Sequence, residues 1–291
     1  MTEHRHDRNT NGGIAMRMSI PIALTAALVL SGCGKKDPAG AGTTVPAHSL
    51  IIDHACADLS QVPAQWIAAV KSGCRMHYAH TSHGGQLTVG LDRIETADTS
   101  YGQAQGYCSL PGQAGLIRIW DGQLHEDYIT PDEYWESHAG MDSTRRLLQD
   151  NPAITHSMWS WCTQLDSYDS TQVQAYLDSI SQLEGEFPSV RFIYMTGNAQ
   201  ATGSGGWNRH CRNQQIRRYC AAHGKVLYDF ADLDAWYNGT QQTDTYNGNV
   251  FPIEHVQYNG NEAAHTTYQS CEVKGRAFWW MMARLAGWNG Q

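Results

Sequence analysis

The fold is decided by the stretch Arg75-Met76-His77-Tyr78-Ala79-His80-Thr81-Ser82-His83-Gly84-Gly85-Gln86-Leu87. Its first residues predict a strand, and the spacing of Leu87, Leu91 and Ile94 predicts a helix that begins soon after it. Ser82 then lies between the end of a strand and the start of a helix, where the helix dipole and free N–H groups stabilise a developing oxyanion. That position suits a nucleophilic serine, although serine is also a favoured helix N-cap.

The same alternation of strand and helix continues along the chain. The clearest helical pattern covers 170–186, since one apolar stripe runs along it and Pro188 follows. The predicted strands cover 75–80, 116–120, 154–161, 190–195 and 225–228. This alternation predicts an α/β fold, a three-layer α/β/α sandwich with a mostly parallel five-stranded sheet. Ligands bind at the carboxyl ends of the strands in such sheets, so the segments that follow the strands should carry the chemistry.

The N-terminal segment predicts export. The apolar run from Ile20 to Leu30 is too short to span a bilayer, which needs ~20 residues, and is typical of a signal-peptide core. It ends in Leu30-Ser31-Gly32-Cys33, which resembles the bacterial lipobox, where cleavage precedes a cysteine that carries lipid. We therefore expect a protein anchored to a membrane of the bacterial envelope, on its extracytoplasmic side. The predicted organisation is a signal peptide over 1–32, lipidated Cys33 with a flexible tether over 33–50, and one domain over 51–291.

Charge bears on the possible binding partners of the protein, and cysteine content bears on its possible disulfides. The chain has 20 Lys and Arg against 28 Asp and Glu, a formal net charge of −8. No basic patch or run of Lys and Arg appears in the body of the chain, which argues against nucleic acid as a partner. Of its 8 cysteines, seven follow Cys33, and an exported protein permits disulfides. The pairs nearest in sequence are Cys56 with Cys74 and Cys211 with Cys220, but connectivity cannot be read from sequence.

Four short blocks follow one another along the body of the chain. They are His80-Thr81-Ser82, Gly140 at the start of a helical pattern, Ser160-Trp161-Cys162-Thr163-Gln164, and Glu262-Ala263-Ala264-His265. In order and spacing they resemble the conserved blocks of the SGNH/GDSL hydrolase superfamily over most of 75–285. The first block keeps only the serine of the family's Gly-Asp-Ser. The third has no asparagine, and the last has glutamate in place of aspartate.

The resemblance implies a serine esterase that removes acyl groups, such as acetyl, from carbohydrate or related esters. Ser82 would attack the ester, His265 would take and return the proton, and Glu262 would orient His265. The resemblance implies no cofactor. The predicted partners are therefore a small ester or acylated carbohydrate, and the membrane through the lipid on Cys33.

The resemblance also implies an oxyanion hole. Its donors would be the backbone N–H groups of Ser82 and Gly140, completed by a side-chain amide. The amide of Gln164 is the first candidate and that of Asn198 the second.

Two alternatives stay open. His77, His80 and His83 recur every third residue, and imidazole suits transition metals, so a metal-dependent hydrolase is one of them. A spacing of three, however, places His77 and His80 on opposite faces of a strand. The other alternative is a lipoprotein that has lost catalysis and keeps its cleft to bind glycans.

Overall fold

Seven short strands form the central sheet of the protein, whose computed structural model describes residues 49–291. They are β1 (Leu50–Ile52), β2 (Arg75–His80), β3 (Gln103–Tyr107), β4 (Ile117–Asp121), β5 (His156–Ser160), β6 (Arg191–Met195) and β7 (Val226–Tyr228). Their order across the sheet is β1-β7-β6-β5-β2-β4-β3, and every neighbouring pair is parallel. The predicted α/β fold is confirmed.

Helices cover both faces of this sheet. They are α1 (Ala64–Gly73), α2 (Gly85–Ala97), α3 (Pro131–Tyr134), α4 (His138–Asp150), α5 (Ser170–Glu186), α6 (Gly203–Ala222), α7 (Phe230–Ala235) and α8 (Tyr268–Leu285). Helices α1 and α2 both pack on α8, whereas α5 packs on α6. Because crossovers between parallel strands are right-handed, the two groups lie on opposite faces of the sheet. The result is the expected three-layer sandwich.

Two small antiparallel hairpins lie between α7 and α8. Strand β8 (Trp236–Tyr237) pairs with β9 (Thr240–Gln241), and β10 (Thr243–Tyr246) pairs with β11 (Asn249–Pro252). They carry the chain across the carboxyl edge of the sheet, the edge at which its parallel strands end.

The five predicted strands correspond to β2, β4, β5, β6 and β7, but the predicted number of strands was too low. The structure adds β1 and β3, one at each side of the sheet. Strand β1 has only 3 residues, too few for any periodicity to show. Strand β3 reads Gln-Ala-Gln-Gly-Tyr, which lacks the β-branched, alternating pattern of a strand. The helix expected over 170–186 is present with those bounds.

Helices α2 and α8 touch backbone to backbone. A Cβ atom on Gly90 would lie 1.9 Å from the carbonyl oxygen of Cys271, and one on Gly275 would lie 2.8 Å from Gly90 C. Glycine at both positions therefore permits this close approach. It brings the loop before α8 to the start of α2, where a Cβ on Gly85 would lie 3.5 Å from the side chain of Ala264.

None of the helices in residues 49–291 combines the length and the hydrophobicity that crossing a membrane requires. The predicted signal peptide over 1–32, lipidated Cys33 and the tether as far as residue 48 lie outside the described residues.

Candidate active site

The order of the strands reverses between β2 and β5. From β2 the chain crosses to β3 and β4 on one side, and then returns to β5, β6 and β7 on the other. In open parallel sheets this reversal leaves a crevice at the carboxyl ends of the two central strands, where ligands bind. Ser82 and His83 follow β2 after one residue, Thr81, and Cys162 follows β5 after one residue, Trp161. These three residues therefore lie at the crevice.

The backbone turns into a helix directly after β2. Ser82–Gly84 form one 3-10 turn that leads into α2. The N-cap position of this turn is Thr81, whose φ of −100° and ψ of −164° are extended. Ser82 is therefore not the cap. Its hydroxyl faces the end of β5 instead, with Oγ 3.4 Å from Cys162 Sγ.

Three side chains form a chain of contacts across the crevice. Nδ1 of His83 lies 2.9 Å from Sγ of Cys162, and the opposite ring nitrogen, Nε2, lies 2.8 Å from Oε1 of Gln200. A carbonyl oxygen can only accept, so Nε2 carries a proton and donates it to Gln200. Nucleophile, imidazole and a side-chain amide in this order are the parts of a cysteine-type catalytic triad.

The contacts make Cys162 acidic. Burial by itself would raise the pKa of its thiol, but the hydrogen bond and positive charge of His83, with hydrogen bonds from Ser82 and Thr81, lower that pKa to about 6. Burial disfavours the charged imidazolium and so acts to lower the pKa of His83, yet Cys162 and Gln200 together raise that pKa above its ordinary value. The two shifts together favour a thiolate beside an imidazolium over the neutral pair, and the thiolate is the reactive form of cysteine.

Neighbouring loops hold the backbone of Cys162. Its N–H donates to Gln164 Oε1 at 2.7 Å, and its carbonyl accepts from Asn198 Nδ2 at 2.7 Å. The indole N–H of Trp161 donates to the carbonyl of Met195 at the end of β6. The two predicted oxyanion amides thus both contact Cys162, and Gln164 keeps its NH₂ group beside this cysteine.

His265 lies at the tip of a strained turn beside the same crevice. Ala263 and Thr266 pair across the turn, and both residues between them have positive φ, 48° for Ala264 and 69° for His265. Two successive positive φ values define the type I′ turn, which favours asparagine and glycine. The ring of His265 packs on that of His83, with centroids 4.9 Å apart. The turn therefore presents an exposed imidazole next to the Cys162–His83 pair.

The predicted serine triad is only partly brought together. Ser82 contacts Cys162, His265 contacts His83, and Glu262 accepts a hydrogen bond from the backbone N–H of Tyr268 at 2.7 Å. Among residues 49–291, hydrogen bonds do not link these three side chains into the expected relay. Their roles as nucleophile, base and orienting group stay predictions.

Gly140 has another partner in this structure. It lies in the first turn of α4, where its N–H donates to the N-cap hydroxyl of Ser137 at 2.9 Å. It also lines a cavity of about 310 Å³ formed by residues between 123 and 143. With its N–H occupied in capping a helix, Gly140 has no donor left for the predicted oxyanion role.

The histidine series does not converge on one point. His77 is buried and neutral, because burial lowers its pKa to about 4, and it contacts the Ser157 hydroxyl and the Gly122 carbonyl. His80 faces the carbonyl of Thr81 and the carboxylate of Asp121, while His83 faces Cys162. The three rings thus have separate partners, and no site for a shared metal forms from them within residues 49–291.

A different group in the described part of the chain has metal-ligand spacing. Asp53, His54 and Asp232 offer ligand atoms that all lie within 4.8 Å of one another. His54 Nδ1 already donates to Asp232 Oδ2 at 2.5 Å, and its ring stacks on Trp236 at 4.1 Å. His54 and Asp232 thus form a hydrogen-bonded pair that packs on the indole of Trp236, which explains their closeness without a metal.

The cysteines of residues 49–291 are all thiols. Neither of the disulfides suggested by sequence proximity, Cys56–Cys74 and Cys211–Cys220, is formed. Cys56 and Cys74 lie at the two ends of the segment that contains α1. Cys211 and Cys220 both lie within α6, where rigid helical geometry keeps them apart.

Sequence reasoning missed Cys162, His83 and Gln200 as a unit. They are separated by up to 117 positions, and each follows a different strand of the sheet. One signal was available, since all three stand in segments that follow predicted strands. Which of those segments meet depends on the order of the strands, and that order is set by tertiary packing.

No protein-family model and no curated protein matches this chain. The resemblance to the SGNH/GDSL superfamily therefore stays a prediction, and the chemistry has to be argued from the residues of the crevice.

Proposed function

We propose that this protein is an acyl hydrolase that cleaves carboxylic esters with Cys162 as its nucleophile. The observation that carries the proposal is the 2.9 Å contact between Cys162 Sγ and His83 Nδ1, with Gln200 on the other ring nitrogen. The supporting electrostatics are the lowered pKa of the thiol, about 6, and the raised pKa of His83. The topological position at the reversal between β2 and β5 points to the same crevice.

The steps of the reaction follow from these contacts. The Cys162 thiolate attacks the carbonyl carbon, and the tetrahedral oxyanion collapses as the alcohol departs with the proton from His83 Nδ1. This leaves an acyl thioester on Cys162 and a neutral His83. His83 then takes a proton from water, the hydroxide adds to the thioester, and the carboxylic acid and the thiolate are released. Gln200 holds the ring during both proton transfers.

A second candidate uses Ser82 as the nucleophile, as the family resemblance implies. It is favoured by the place of Ser82 at the start of a helix, where N–H groups lack intrahelical partners, and by the His265 ring nearby. In this version Cys162 would act as a neighbour that accepts a hydrogen bond from the Ser82 hydroxyl. An acylated carbohydrate as substrate and a lipid-anchored, extracytoplasmic location remain part of the proposal on the strength of the sequence alone.

Hydrolysis of p-nitrophenyl acetate separates the two nucleophiles. We expect Cys162→Ala to lower the rate at least about 100-fold, and Ser82→Ala to lower it less than about tenfold by removing one donor to the thiolate. Cys220→Ala, which changes a fully buried thiol on α6, is the matched control and should keep the wild-type rate. Peptide mass spectrometry of the acid-quenched enzyme should find the acetyl group on Cys162. Acetyl on Ser82, with activity lost in Ser82→Ala and kept in Cys162→Ala, would replace the proposal with the serine mechanism.

The pH dependence gives a further check with a definite sign. Acylation should rise as pH increases through about 6, since only the thiolate attacks. With an alkyl ester the rate should fall again when His83 loses its proton, because the alkoxide needs that proton. With p-nitrophenyl acetate the falling limb should be absent from acylation, because p-nitrophenolate leaves without protonation.

A further inference from the structure

A buried carboxylate lies directly behind the Cys162–His83–Gln200 chain. Glu254 is only 9 % exposed, and its Oε1 accepts a hydrogen bond from Gln200 Nε2 at 3.1 Å. The hydroxyl of Thr266 donates to the same oxygen at 3.1 Å, and the backbone N–H of Glu254 donates to the carbonyl of Ala199 at 2.6 Å. The carboxylate is therefore fixed on one side of the amide of Gln200, with His83 on the other.

The partners of Gln200 allow only one orientation of its amide. The NH₂ group faces two acceptors, Glu254 Oε1 at 3.1 Å and the carbonyl of His265 at 2.7 Å, while Oε1 faces the N–H of His83. Rotating the amide by 180° would set its oxygen against a carboxylate and a carbonyl, and its NH₂ against an N–H. An ionised Glu254 thus keeps Gln200 in the orientation that accepts the proton of His83 and that anchors the strained His265 turn.

The charges around Glu254 are arranged on three helices. Asp234 on α7 and Lys274 on α8 form a fully buried ion pair beside it, and Arg209 on α6 lies within reach of its charge. Burial, then the negative charge of Asp234, raises the pKa of Glu254 to about 7, while Gln200, Lys274 and Thr266 act in the opposite direction. The ring of His83 is the cation on the side of Gln200.

We propose that Glu254 is a positioning residue whose negative charge, acting through the amide of Gln200, holds His83 as the imidazolium partner of the Cys162 thiolate. The positive end of the ion pair, His83, is the end nearer to Glu254, so the carboxylate favours the ion pair over the neutral pair. Only the consequence for turnover rests on the proposed function. The effect on the pKa of His83 does not depend on any substrate.

The test compares Glu254→Gln, which removes the charge and keeps the shape, with the wild-type protein. The pKa of the His83 ring is measured by NMR, and alkylation of Cys162 by iodoacetamide, followed from pH 4.5 to 9 by peptide mass spectrometry, gives the thiolate pKa. Because Glu254 is ionised mainly above pH 7, we expect the pKa of His83 to fall by about one unit in the variant. The thiolate midpoint near pH 6, where Glu254 is mostly protonated, should move little. Glu186→Gln, an exposed glutamate at the amino edge of the sheet, is the matched control and should leave both values unchanged.

A purely structural role for Glu254 would lower the melting temperature and leave both pKa values in place. That result, or a His83 pKa within 0.3 of wild type (about twofold in the ionisation constant), overturns the proposal. The exchanged variant Gln200→Glu with Glu254→Gln sets the carboxylate directly against His83, so the pKa of His83 should return to the wild-type value or above. This variant decides the question if Glu254→Gln does not fold, because a lowered His83 pKa in it also overturns the proposal. Wild-type protein that shows a raised His83 pKa but hydrolyses no ester would remove the proposed function and leave this inference standing.

Discussion

Cys162 and Cys74 are two cysteines at opposite edges of one sheet, and the pKa values of their thiols differ. Cys74 immediately precedes β2 at the amino edge, is 2 % exposed, and has its pKa raised to about 12, chiefly by burial. Cys162 follows the neighbouring strand β5 at the carboxyl edge, where His83 and hydroxyl groups outweigh burial and lower the pKa to about 6. The pKa values of the two thiols are therefore shifted in opposite directions from the ordinary value of 9.0.

The difference teaches where an α/β sheet can support catalysis. At the carboxyl edge the loops after several strands converge, and each can contribute a polar group to a common point. Cys162 receives such groups from the loop after β2, and His83 receives Gln200 from the loop after β6. Arg75 and Arg118 act to lower the pKa of Cys74, but desolvation outweighs them and decides its state.

Removing the imidazole of His83 should abolish most of the difference in pKa between Cys162 and Cys74. In His83→Gln we expect the pKa of Cys162 to return to or above the ordinary value of 9.0, because burial is then opposed only by hydroxyl groups. The thiolate fraction at pH 6.5 would fall roughly 200-fold, and since a less acidic thiol is the stronger nucleophile, the alkylation rate would fall about tenfold. Iodoacetamide labelling with peptide mass spectrometry measures both. A midpoint that stays near 6 would show that His83 is not the cause.

Removing the other thiol should leave the reactive one untouched. Cys74→Ala deletes a buried sulfur, so we expect a loss of about 1 kcal/mol in the free energy of unfolding and an unchanged labelling profile at Cys162. Urea unfolding and the same alkylation assay check the two halves of this expectation. Labelling at Cys162 that changed with Cys74 would mean that the two edges are coupled through the sheet.

Backbone strain at the carboxyl edge gives the smallest expected effect. Ala264 has φ of 48° in the turn that presents His265, and glycine adopts this region without penalty. Ala264→Gly should therefore stabilise the protein by about 0.5–1 kcal/mol, which corresponds to a rise of roughly 1–4 °C in Tm. Calorimetry provides the measurement. A lower Tm would show that the turn loses more through added freedom of the unfolded chain than it gains by relief of strain.

Local patterns predicted much of the fold. The apolar stripe of 170–186 gave α5 with its observed bounds, and the strand before Ser82 was found as β2. Patterns failed where an element was too short or too polar to show periodicity, as in β1 and β3. They also failed for α7 and the two hairpins that follow it, because such short elements are stabilised by contacts with the rest of the protein rather than by their own sequence.

The candidate site was predicted only in part. Ser82 and His265 both lie beside the crevice, and both stand next to elements that the pattern identified. Cys162 was expected to be one of several cysteines available for disulfides, and His83 entered only the alternative of a metal site formed by three histidines. Neither interpretation took account of the contact between Cys162 and His83, which determines the pKa of both, because the two residues are distant in sequence.

The sequence by itself determined that this chain alternates strands and helices, that a serine and a histidine stand at the end of β2, and that a cysteine stands at the end of β5. Periodicity and turn preferences act over a few residues, so these features can be predicted from short stretches of the sequence. Only the tertiary structure decided that β2 and β5 are neighbours, with His80 opposite Ser160, and so brought the imidazole of His83 to the thiol of Cys162. Strand order depends on how helices pack over the whole sheet, and a pKa depends on the charges and the burial that this packing creates.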